Sequence, residues 1–399
     1  MKFVFIALLL LASGCATLPR NAVPVDAIYD AEIPGMPNIR AWGGQFSPVF
    51  QADAVQSVLD EPDGAFSRDA SGVPLYSALS VSGGGSEGAF GAGFIVGWSE
   101  LGTRPKFKIV TGISTGALIA PFAFLGPDFD DELKEVFTTI TTANIMQRVN
   151  IFGIIFRGEA FATTGPLKDL VAQHITAETL AAVAARHDRG QRLYIGTTHM
   201  DAQRLCIWNM GLIAKSAEPG ALELFRNVMV ASTSIPAAFP PVLIEVDVDG
   251  ERYDEMHADG GTVTQVFFFD GVLDLRAAAR EAFGMNHGDI GSLYIIRNGQ
   301  LAPQPKQIQR RLPDISSRAI STMVKTAALN DLFRIYSFAQ RDGVDFNYVD
   351  IPDDYESRSK ELFDQAEMNR LFEIGYQLAI SGDAWQKLPP GLAPLQVAK

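Results

Sequence analysis

Cysteine is nearly absent from this 399-residue chain, which has only Cys15 and Cys206. That excludes a disulfide framework and a cysteine-rich zinc site. Positive charge is also scarce. Lys and Arg number 33 against 46 Asp and Glu, a formal net charge of −13. No Lys/Arg-rich run occurs beyond Arg310-Arg311, so a nucleic-acid-coating face is not expected. No apolar run reaches the roughly 20 residues that cross a bilayer as a helix. No Gly-Lys-Ser/Thr follows the glycine-rich loop at residues 83–85, which excludes a P-loop. A dinucleotide fingerprint fits that loop only in part, and no other element of a cofactor site or metal site is legible. With 47% hydrophobic and 20% charged residues, the composition is that of a globular protein.

At the N-terminus, Met1-Lys2 precedes an apolar run from Phe3 to Ala12 and then Ser13-Gly14-Cys15. One positive charge, a short apolar core and small residues predict a secretory signal peptide over residues 1–14. The end of this segment resembles the lipobox of bacterial lipoproteins, with Ala12 in place of the usual Leu and Leu11 one position further out. That resemblance implies lipidation of Cys15 and an exported, envelope-anchored protein, at the outer membrane or periplasmic face of a bacterium. Loss of Lys2 with the leader would leave 32 basic against 46 acidic residues. So acidic a chain would be repelled by an anionic bilayer, and a covalent anchor at Cys15 is the attachment expected in its place.

Residues 15–74 are rich in Pro, Gly, Asp and Ala with weak periodicity, and read as a lipidated tether and N-terminal arm. Residues 75–390 read as one catalytic-sized domain and 391–399 as a tail. Strands are expected at Tyr76–Ser82, Phe107–Thr111, Arg192–Thr198, Leu205–Asn209, Ser292–Arg297 and Phe346–Ile351. A hairpin is expected around Asp249-Gly250. Helical spacing follows Phe90, Phe94, Trp98 and Leu101, and recurs in Thr115–Leu125, Leu222–Ala231, Ala319–Phe338 and Phe363–Ile380. Strand, helix, strand, helix over residues 75–125 predicts an α/β fold, a three-layer sandwich around a mainly parallel central sheet. Cys206 falls in a strand-like run and is expected to be a buried free thiol.

Two glycine-bracketed motifs carry the chemistry. Gly112-Ile113-Ser114-Thr115-Gly116 lies between a predicted strand and a predicted apolar helix, the context of a nucleophile elbow. A plain helix N-cap is the alternative for Ser114, since serine is favoured there. Thirty residues earlier, Ser82-Gly83-Gly84-Gly85-Ser86-Glu87-Gly88 follows a strand and opens a helix. Consecutive glycines leave backbone N–H groups free to bind an anion, here the oxyanion of an acyl intermediate, with close strand–helix packing as the alternative. Further on stand Ala231-Ser232, a proline-rich turn through Pro240-Pro241, and Asp259-Gly260-Gly261.

These motifs, in this order, resemble the patatin-like phospholipase family over about residues 76–300. The resemblance implies a Ser–Asp dyad, with Ser114 as nucleophile and Asp259 as its base. It implies an oxyanion loop at Gly83, Gly84 and Gly85, with Gly88, Gly112, Gly116, Gly260 and Gly261 as supporting glycines. It also implies phospholipid or another acyl ester as substrate, no cofactor and no metal. Many members carry Arg or Lys where this chain has Glu87, so the resemblance does not supply a cation at that loop. Acyl transfer or thioester cleavage on the same fold, and a non-catalytic lipoprotein that binds acyl chains or a protein, are the alternatives.

A Ser-His-Asp triad would need a histidine. His174, His187 and His287 occupy polar or loop surroundings and are expected at the surface. His199 follows a strand, and His257 would share a strand face with Asp259. Phe122, Phe124, Phe152, Phe156 and Phe267–Phe269 are candidate walls for an acyl chain, with core packing as their simpler role.

Overall fold

In chain order the strands are β1 (Arg40–Trp42), β2 (Ser77–Val81), β3 (Ile109–Ile113), β4 (Gln147–Arg148), β5 (Ala162–Thr163), β6 (Arg192–His199), β7 (Arg204–Asn209), β8 (Val242–Val248), β9 (Glu251–Asp259), β10 (Ser292–Arg297) and β11 (Asp345–Asp350). They belong to a computed structural model that describes residues 18–68, 74–148, 160–269, 271–283, 291–359 and 361–392. The leader and Cys15 lie outside the described residues. Strands β4 and β5 form a ladder of their own. The other nine form one sheet, ordered β1-β7-β6-β3-β2-β10-β11, with the β8–β9 hairpin joined to β6 through β9.

The five central strands β6, β3, β2, β10 and β11 are mutually parallel. Strands β7 and β1 extend one side antiparallel. Helices cover both faces, so β3 is buried at every residue and its Ile-Val-Thr-Gly-Ile sequence does not alternate. The helix Gly88–Glu100 packs on Gln365–Ser381 so closely that a Cβ on Gly93 would lie 1.9 Å from the Phe372 carbonyl oxygen. Among the described residues no helix is long and apolar enough to cross a membrane.

The N-terminal arm is folded onto the body. Val23, Ile28, Ile33, Met36 and Ile39 are buried in the main core. Strand β1 pairs with β7, and the helix Pro48–Leu59, capped by Ser47, places Asp53 against Arg192 at 2.8 Å. Its apolar residues follow neither helical nor strand period, so their burial comes from docking onto the sheet. Helices at Asp130–Thr139, Gly165–His174 and Ala177–His187 also stand where no sequence signal was read.

Candidate active site

Strand β3 ends at Ile113, and Ser114 turns the chain into the helix Thr115–Leu125 with φ 54° and ψ −125°. This left-handed backbone costs a non-glycine residue on the order of 1–3 kcal/mol. The turn is held from outside: the Ser114 N–H donates to Ser232 Oγ at 2.9 Å, and Ser232 Oγ donates to the Gly196 carbonyl at 2.7 Å. A Cβ on Gly116 would lie 2.2 Å from the Val81 carbonyl oxygen, and one on Gly112 would lie 2.4 Å from that of Gly116. Glycine at both positions therefore lets the elbow seat against β2. The Ser114 side chain does not cap its helix. Its Oγ donates instead to Asp259 Oδ2 at 2.6 Å.

Asp259 reaches Ser114 because one edge of β6 carries two strands end to end. Strand β3 pairs with β6 up to Ile113 opposite Gly196. There β3 turns away, and β9 takes the next positions, with Asp259 opposite Thr197. Asp259 N–H donates to the Ser234 carbonyl at 2.9 Å, Thr198 Oγ1 donates to the Asp259 carbonyl at 2.9 Å, and Gly261 N–H donates to Asp259 Oδ1 at 2.6 Å. Burial pushes the Asp259 carboxyl up to about 7, against the opposing effect of the hydrogen bonds from Ser114 and Gly261.

The glycine loop lies beside this pair, with a Cβ on Gly83 falling 3.1 Å from Ser114 Cβ. Gly83 differs from its sequence expectation as a donor. Its N–H is spent on the Gln265 carbonyl at 3.0 Å. Among the described residues no acceptor takes the N–H of Gly84 or Gly85. Arg297, buried at the end of β10, donates from Nη1 to the Gly83 carbonyl at 2.6 Å and to Ser82 Oγ at 3.0 Å. Asn298 donates through Nδ2 to the Ser82 carbonyl at 2.9 Å and accepts the Gly91 N–H at 3.0 Å. Burial raises the Glu87 carboxyl, and the charges of Arg297 and Lys325 oppose that rise. Positive charge thus reaches the loop from β10 and not from position 87. The sequence reading missed Ser232, Gln265, Arg297 and Asn298 as supports. The available signal was Arg297-Asn298-Gly299, polar residues directly after an apolar strand.

The histidines are engaged elsewhere. His257 Nδ1 meets Thr197 Oγ1 at 2.9 Å and its Nε2 meets Glu255 at 3.2 Å, so both ring nitrogens are committed away from Ser114. Burial, partly offset by Glu255, pushes His257 down to about 4. His199, Glu255 and His257 bring ligand-type atoms within 4.8 Å of one another. Arg40 nevertheless donates to both Glu255 oxygens, so a guanidinium already fills the cationic position. His174 and His187 are buried, correcting their expected surface positions. Each ends a helix whose inner face packs on the core. His287, Phe152 and Phe156 lie outside the described residues.

The remaining expected walls are core residues. Phe122, Phe124 and Phe267 are buried. Phe268 and Phe269 line a cavity of about 180 Å³ with Leu293 and Val344. That cavity adjoins the start of β10, whereas Ser114 and Asp259 adjoin the ends of β3 and β9. Cys206 is buried and free, its thiol pushed up to about 12 by burial.

A mostly parallel sheet flanked by helices, with a serine elbow after β3 and an aspartate from β9 beside it, defines the patatin-like fold. Residues 79–270 match the family model described as patatin-like phospholipase. That match supports a lipid hydrolase. Among solved structures, VipD from Legionella pneumophila is 12% identical over 81% of this chain and 70% of that chain, with a TM-score of 0.41. The type III effector protein ExoU is 11% identical over 77% of this chain, with a TM-score of 0.32, and the match spans 53% of that chain. No curated protein sequence matches this chain.

Proposed function

We propose that the protein is a serine acyl hydrolase of phospholipids or related acyl esters, working through an acyl-enzyme. Ser114 Oγ attacks the ester carbonyl carbon and passes its proton to Asp259 Oδ2, while the N–H groups of Gly84 and Gly85 receive the oxyanion. Collapse of the tetrahedral intermediate expels the alcohol, which takes the proton from Asp259. Water then attacks the acyl-enzyme, giving its proton to Asp259, and fatty acid leaves as Ser114 Oγ is reprotonated. A base with a pKa near the working pH suits both steps. The guanidinium of Arg297, on the Gly83 carbonyl, fixes the loop and adds positive potential near the developing charge.

The observation that carries this reading is the 2.6 Å bond from the strained Ser114 to a buried carboxylate. In the same reading Cys15 is the acylated anchor and keeps the enzyme at its substrate. A fluorophosphonate probe tests the chemistry. The native protein is expected to form an adduct at Ser114 and to release fatty acid from phospholipid vesicles, and Ser114→Ala to do neither. An unlabelled Ser114 in the folded protein would instead favour a non-catalytic, acyl-binding role.

A further inference from the structure

The helix Leu312–Asp342 has two halves with opposed faces. In its second half Ala328, Leu332, Ile335 and Ala339 are buried against the sheet. In its first half Leu312, Ile315, Ile320 and Met323 are 79%, 52%, 57% and 63% exposed. Leu312 and Met323 are about three turns apart and lie on one side, with Ile315 and Ile320 flanking them. Leu312 and Leu332 are about five and a half turns apart, on opposite sides. The outer apolar stripe is therefore turned away from the body that the same helix packs on.

The charge of this segment opposes that of the chain. Residues 304–325 hold Lys306, Arg310, Arg311, Arg318 and Lys325 against Asp314 alone, net +4 within a chain of −13. Arg311 and Arg318 border the stripe by helical position. The base of the helix is tied to the site. Asp331 accepts the Gln265 N–H at 2.6 Å, Gln265 Nε2 donates to the Gly261 carbonyl at 2.6 Å, and the Gln265 carbonyl accepts from Gly83.

We propose that residues 304–325 form the surface that docks the protein onto an anionic phospholipid bilayer and delivers lipid to the dyad. The proposal rests on the hydrolase reading above. Apolar side chains bordered by cations suit the headgroup boundary of such a bilayer. The positive segment next to the site offsets locally the repulsion that the acidic remainder would meet.

The test uses the full chain with Cys15→Ser, so that no acyl anchor contributes, and vesicles of phosphatidylglycerol in phosphatidylcholine. One variant carries Arg310→Glu, Arg311→Glu and Arg318→Glu, and another carries Ile315→Ser, Ile320→Ser and Met323→Ser. Each is expected to lose roughly tenfold or more in vesicle affinity, while hydrolysis of a soluble short-chain ester stays at the parent level. Vesicle affinity unchanged in both variants would overturn the proposal. So would a parent dimer, seen by light scattering, that the apolar variant converts to monomer, since a second copy would then own the stripe. A parent that hydrolyses the soluble ester without binding vesicles sinks the docking surface alone. A parent that binds vesicles through these residues yet turns over no ester sinks the hydrolase reading and leaves the surface standing.

Discussion

Ser114 and Asp259, 145 residues apart in the chain, share a 2.6 Å hydrogen bond because their strands end against adjacent residues of β6. Ile113 faces Gly196 and Asp259 faces Thr197. The Ser114–Asp259 contact is thus set by backbone pairing, the stiffest part of the fold, and not by loop conformation.

The pH dependence of turnover follows from the buried carboxylate. Asp259, pushed up to about 7 by burial, accepts a proton only when ionised. The value of kcat/KM for a soluble ester is expected to rise through about pH 7 and then level. A profile already flat at pH 5 would show that another group acts as base. Asp259→Asn is expected to abolish turnover, and retention of more than a tenth of it would show that Asp259 is not the base.

The same carboxylate makes a stability prediction of definite sign. Between its unfolded value of 3.8 and its folded value of about 7, the native state holds a proton that the unfolded chain has lost. Its contribution to stability therefore falls as pH rises through that window, by on the order of 4 kcal/mol in all. Urea denaturation at pH 8 is expected to find Asp259→Asn more stable than the parent, with the difference shrinking toward pH 4. Equal stability at both pH values would contradict the buried, uncompensated carboxylate.

Arg297 is predicted to position the glycine loop. Its charged hydrogen bonds to Gly83 and Ser82 are each worth about 1.5–3 kcal/mol. Arg297→Gln is expected to lower kcat roughly tenfold to a hundredfold with little change in KM. Arg297→Lys should restore only part of this, since the lysine ammonium ends one bond short of the guanidinium Nη1 that donates to both acceptors. A change confined to melting temperature would reduce Arg297 to a purely structural role.

Behind the site, Arg40, Glu255, His199 and His257 form a buried polar cluster. Removing the Glu255 charge would strand the Arg40 guanidinium. Glu255→Gln is expected to cost about 3–5 kcal/mol in chemical denaturation, while fluorophosphonate labelling of Ser114 persists in the folded fraction. Stability within about 0.5 kcal/mol of the parent would contradict the pairing.

The local motifs were legible in the sequence. Gly112-Ile113-Ser114-Thr115-Gly116 and Gly83-Gly84-Gly85 announce sharp strand-to-helix turns, because few other residues fit the backbone there. The β2–helix–β3–helix succession follows from period and length, which are local properties. Three things were not local. Gly83 stood in the sequence as a donor equal to its neighbours, and only the position of Gln265 spends its N–H. Glu87 suggested a loop without positive charge, while Arg297, some 200 residues on, supplies it from β10. The acidic composition suggested a chain repelled by anionic lipid, whereas the fold projects a +4 segment with its apolar stripe outward. The sequence by itself determined where the chain turns sharply and where β2, β3 and their following helices run, since backbone sterics and hydrophobic period act between near neighbours. Asp259 was named in the sequence only through a family resemblance, and tertiary structure decided how it meets the serine, which cation meets the loop and which face of the long helix is left uncovered. Those contacts depend on strand order and register, and these are set by burial summed over the whole sheet.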